Sequence, residues 1–144
     1  MATVEVEFTP LPAHVRTARL VATAVARRSG VDEALLDEVR LAVGEACSRA
    51  VEAHRRHCPA EPVKIQMTDQ GERFVVVVSD AAPTGGGNGT VQAANGAEDG
   101  SSAIPAGFGL AVISGLADDV HVSSTGSGVS VRMSWPSAAA DQVG

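Results

Sequence analysis

Apolar and polar positions alternate at the start of the chain: Val4, Val6 and Phe8 are separated by Glu5 and Glu7. That is the period of a strand with one wet face. Pro10 and Pro12 end it. From about residue 13 to 29 the spacing changes to three and four, with Val15, Ala18, Ala22 and Val25 on one stripe, which predicts a helix closed by Gly30. Asp32 is placed to cap a second, longer helix lined by Leu35, Val39, Ala42, Ala46 and Ala50, running to roughly His57 before Pro59 forbids continuation.

After Pro62, Val63, Ile65 and Met67 alternate, a turn follows at Asp69-Gln70-Gly71, and Phe74 to Val78 is unbroken apolar. These read as a hairpin whose second strand is buried on both faces. Residues 81–103 are mostly Gly, Ala, Ser, Asn and Thr without a period. Such a stretch buries too little apolar area to offset its ordering entropy, and a mobile, lid-like loop is predicted. A short helix after Gly107 is expected to bury Leu110, Val112, Ile113 and Leu116, before a last hairpin pairs Val120 and Val122 with Val129, Val131 and Met133 around Gly126-Ser127-Gly128. Residues 137–144 read as a disordered tail. The order β-α-α-β-β-loop-α-β-β implies an α+β two-layer sandwich, helices on one face of a mixed, mostly antiparallel sheet, forming one domain over residues 1–136.

Charge narrows the partners. Eleven basic against seventeen acidic residues give a net charge of −6 over 144 residues, which argues against a surface that neutralises nucleic-acid phosphates. Protein or small-molecule partners are expected. No apolar run is long enough to span a bilayer, and the start MATVEVEF lacks the basic and apolar regions of a signal peptide, so a cytoplasmic protein is expected. Cys47 and Cys58 are too few for a disulfide framework and read as thiols. Together with His54 and His57 they are zinc-ligand types near one side of the second helix, but without the spacing of a finger; Cys47 reads more simply as a core thiol, and no metal centre is predicted.

The candidate chemistry lies in three strings: Glu45-Ala46-Cys47-Ser48-Arg49-Ala50 on the second helix, Val77-Val78-Ser79-Asp80 at a strand end, and Gly107-Phe108-Gly109-Leu110 at a helix start. Glu45 and Arg49 are four apart and point the same way. Two readings are open for them: a surface ion pair worth a few tenths of a kcal/mol, which is favoured, or a guanidinium set against phosphates. The ion pair would also lower Glu45's capacity as a general base. Asp80 is either a turn former or a recognition group, and Gly107 and Gly109 serve either phosphate binding at a helix N-terminus or close packing.

In their order along the chain these strings resemble the anti-sigma factors of the serine-protein-kinase type, within the GHKL (Bergerat-fold) histidine-kinase-like ATPases; the resemblance covers Phe8 to Met133. It implies an ATP or ADP site. Glu45 stands where that family has a catalytic base, and Arg49 where it has the Asn that holds Mg²⁺. Asp80 stands at the position that accepts the adenine amino proton, and Gly107 and Gly109 at the phosphates. The departures are specific: Arg49 replaces the Asn, Ala82 and Thr84 replace the two glycines after Asp80, and Val129 replaces a Thr near the phosphates. A guanidinium has no lone pair for a metal, so Mg²⁺ is not expected at the usual place. The resemblance further implies that Arg19, preceded by Ala18, contacts a sigma factor and a STAS-domain anti-anti-sigma factor, with Arg16 on nearly the same face, and that the chain forms a homodimer. The expected function is an anti-sigma regulator with weakened or lost ATP binding. The alternatives are an active serine kinase acting on the STAS partner with Glu45 as base, and a non-catalytic scaffold for that partner alone.

Overall fold

A computed structural model of the chain describes residues 2–82, 89–91 and 112–137. The first strand, β1 (Ala2–Phe8), leads into helix α1 (Pro12–Arg28), whose first turn holds a proline where no N–H is needed. Arg27 and Arg28 complement the dipole at its end, Gly30 takes a φ of 93°, and Val31 N donates back to Ala26 O, which closes the helix. Helix α2 (Glu33–His57) follows at once, with the Asp32 carboxylate accepting from Ala34 N at 2.9 Å. Helix α1 packs along α2 with Arg19 lying over Gly44, and the small residues Ala18, Ala22 and Ala26 on the first helix and Ala42, Ala46 and Ala50 on the second are all buried.

The sheet runs β1-β2-β3-β6-β5-β4, adding β2 (Val63–Asp69), β3 (Arg73–Ser79), β4 (Gly89–Val91), β5 (Asp119–Thr125) and β6 (Gly128–Pro136). Every pairing among these strands is antiparallel, so the sheet is antiparallel and not mixed. Register puts Val6, Ile65, Val78, Val131 and Val122 in one row, and Val4, Met67, Val76, Met133 and Val120 in the next. Both rows lie on the helix side, because alternate residues share a face. The outer face is polar except for Val75 and Val77, which is why β3 reads as apolar throughout and is largely buried. Trp135 and Phe74 anchor one end of the core, with ring centroids 6.4 Å apart.

Three sequence expectations change. Strand β4 falls inside the stretch expected to be irregular; the rest of that stretch from residue 83 to 103, Leu110 and residues 138–144 lie outside the described residues. The last hairpin turns on Gly126-Ser127 alone, since Thr125 and Gly128 are already paired. In the helical segment at residues 112–116 Ile113 is buried, but Val112 is exposed.

Cys47 is fully buried between helices and sheet, and burial pushes its thiol up to about 12, so it contributes packing and not nucleophilicity. His54 is buried with both ring nitrogens committed: Nε2 accepts from Ala81 N at 2.8 Å, and Nδ1 lies 2.8 Å from Glu61 O, to which the neutral ring donates. Among the described residues no group of three or more His, Cys, Asp or Glu side chains is placed to hold a metal ion. No helix among them is long and apolar enough to cross a membrane.

Candidate functional site

Asp80 closes β3, directly beside the first residues of β6. Its own N–H donates to Val129 O at 2.9 Å, and its Oδ1 accepts from Ala82 N at 3.0 Å and Val129 N at 3.2 Å. Its Oδ2 accepts from Nη2 of Arg49, which reaches across from α2. The Asp80 side chain is 1% exposed and that of Arg49 16%. This carboxylate, 1% exposed, takes a cation on one oxygen and two backbone N–H groups on the other, so most of its accepting capacity is engaged from within the chain.

This corrects the reading of Arg49 as the ion-pair partner of Glu45. The helical i,i+4 rule describes pairs held in water, where the gain is small; a buried Asp80 offers Arg49 a charge that has lost its hydration, and that stronger demand sets the rotamer. The sequence carried a signal of it. A cation stands on α2 where the resembling proteins have a neutral amide, opposite an acid at the end of an apolar strand.

Gly128 makes the approach possible. A Cβ there would fall on the carbonyl oxygen of Asp80, and its φ is 156°. Gly128→Ala is expected to cost about 1–3 kcal/mol through strain and to separate β6 from Asp80; chemical denaturation checks it, and a change within a few tenths of a kcal/mol would show that the hairpin moves freely.

Glu45 is released by this arrangement. It has no ion pair among the described residues and lines a cleft of about 430 Å³ with Arg19, Gly44 and Ser48 from the helices and Val112 and Leu116 from the segment at residues 112–116. Arg19 lies over Gly44, where a methyl would fall 2.6 Å from its Cδ. Arg16 and Arg19 border the same concavities between α1 and α2, as their spacing predicts. Gly107, Gly109 and Thr84 lie outside the described residues.

A family model, the histidine kinase-like ATPase domain, matches residues 8–135. The chain belongs to this family. The likeness to GHKL ATPases read from the three strings is thereby borne out, and a histidine kinase-like ATPase domain is in general a nucleotide-binding one. No curated protein matches the chain. Among solved structures it is similar to the RsbU and RsbW domains of Rv1364c from Mycobacterium tuberculosis, with a TM-score of 0.65 and 14% identity, covering 93% of this chain. At that identity the likeness is one of fold. The chain spans 32% of that neighbour, about a third of its length. For a histidine kinase-like ATPase domain, the two-layer architecture described above is the expected one.

Proposed function

We propose that this chain is an anti-sigma-type regulator that works by protein contact, engaging a sigma factor or a STAS-domain anti-anti-sigma factor, with its nucleotide site closed from within. The observation that carries the closure is the Arg49–Asp80 pair. Adenine recognition at this position needs an accessible carboxylate oxygen, and Asp80 is 1% exposed with Arg49 on one oxygen and two backbone N–H groups on the other. Arg49 supplies no ligand for Mg²⁺, and Ala82, 3% exposed, brings a Cβ where the resembling proteins have none. These residues do not fit Mg-ATP bound in the family's way. Partner switching is supported by the fold shared with a solved structure that contains an RsbW domain, and by Arg16 and Arg19 on α1, which make no ion pair among the described residues.

A second reading has one observation in its favour. Glu45 faces a cleft and is not neutralised by Arg49, which leaves it able to take a proton from a hydroxyl, as a serine kinase acting on the STAS partner requires.

Calorimetric titration with ATP and ADP, with and without Mg²⁺, separates the two. The protein as it stands is expected to give no heat of binding, and Arg49→Asn to restore binding that depends on Mg²⁺. Saturable Mg-ATP binding by the unaltered protein would overturn the closed site and favour the kinase.

A further inference from the structure

Two concavities of about 300 Å³ each run along the outer face where α1 meets α2, and they share Arg16 and Arg19. One continues to Leu20, Arg40 and Leu41, the other to Ser48, Val51 and Arg55. On α2 the groove therefore extends from Arg40 to Arg55, about 22 Å at the helical rise per residue. Its apolar contribution is unusual for a wet surface. Leu20 and Leu41 are 61% and 46% exposed, two of the five large apolar side chains left exposed among the described residues.

Charge gives the groove its sign. Arg27, Arg40, Arg49, Arg56 and Arg73 each pair with a carboxylate. Arg16, Arg19 and Arg55 have no ion pair among the described residues, and all three border the groove. Arg28 and Arg132 are likewise unpaired but border neither concavity. Of the acids around it, Glu52 lines the groove and pairs with Arg56 at 3.2 Å, Asp37 pairs with Arg40 at 3.0 Å, and Glu45 lies in the adjoining cleft that Arg19 also borders. A chain of net charge −6 thus keeps in one groove three guanidiniums that make no ion pair among the described residues, against the single carboxylate of Glu52 and beside two exposed leucines.

We infer that this groove is the docking surface for an acidic amphipathic helix of a protein partner, with carboxylates on Arg16, Arg19 and Arg55 and apolar side chains on Leu20 and Leu41. The inference rests on the partner-binding reading of α1 and adds to it the partner's chemistry and the residues from α2. Its length suits a helix of several turns better than a single anion, since helical neighbours one turn apart match the spacing of Arg16 and Arg19. Each arginine offers a fork of donors to a carboxylate, and the leucines supply the apolar area that makes such a contact more than a screened charge pair. Gly44 holds the arrangement in place by letting the stem of Arg19 lie flat on α2.

The test uses the whole protein and a fluorescein-labelled helical peptide with leucines on one face flanked by glutamates, read by anisotropy. Saturable binding is expected, weakened about tenfold or more by Arg55→Glu and by Leu20→Asp, and unchanged by Arg28→Glu. A lysine version of the peptide is expected not to bind. Absence of saturable binding, equal binding of a scrambled peptide, or indifference to Arg55→Glu would each overturn the groove, as would a dimer of this chain that Leu20→Asp dissolves without any peptide binding. A sigma or STAS partner that still binds through Arg19 while ignoring Arg55→Glu and Leu20→Asp would overturn the groove and leave the proposed function standing.

Discussion

Arg49→Ala is expected to lower stability by about 3–5 kcal/mol in urea unfolding at neutral pH, because it strands the Asp80 carboxylate in the interior without its cation. The pair itself is a modest stabiliser, since burying both charges costs much of what their attraction returns. Removing one partner is what is expensive. The asymmetry gives a sign test. Adding Asp80→Asn to Arg49→Ala is expected to recover stability, because Asn keeps an oxygen for Ala82 N and Val129 N and removes the stranded charge. If Arg49→Ala costs less than about 1 kcal/mol, water reaches Asp80 and the closure of the nucleotide site fails with it.

Trp135→Ala is expected to cost a similar amount, about 3–5 kcal/mol, with an unchanged slope against denaturant. Trp135 is fully buried beside Phe74, and its indole N–H donates to Leu116 O at 3.1 Å. The side chain therefore fills the core and also fastens the segment at residues 112–116 to the sheet. Trp135→Phe separates the two roles. It keeps most of the packing and leaves Leu116 O without its donor, for an expected cost of about 1–3 kcal/mol. Leu116 lines the Glu45 cleft, so the same variant is expected to speed amide exchange in residues 112–116. Unchanged exchange there would mean that the segment is held by Ile113 alone.

Regular elements were legible because they follow from local rules. The Asp32 cap and the Gly30 stop are written within a few residues of the helix ends they set, and the alternation of Val63, Ile65 and Met67 needs no knowledge of the rest of the chain. Val112 departs from its expected burial for a related reason: an apolar side chain on a short helix reads as core-facing, and only tertiary placement assigns the face. The pairing of Arg49 was hidden for a different reason. Its true partner is thirty-one residues away, and only the burial of Asp80, a property of the folded chain, outweighs the nearby Glu45. The same limit applies to His54. Beside Cys47, His57 and Cys58 it reads as a metal-ligand type, whereas the structure uses both of its nitrogens on backbone groups that no sequence pattern announces.

That histidine ties two separate parts of the chain to one point. Its bond to Glu61 O spans seven residues and needs only the end of α2 and the bend after it. Its bond to Ala81 N spans twenty-seven, and forms only when β2 and β3 have paired and returned the chain to the same place. One imidazole thus links a local contact to a distant one, and Ala81, which donates the distant bond, is the neighbour of Asp80. The chain path that brings Ala81 to His54 is the same one that sets the Asp80 carboxylate in front of Arg49.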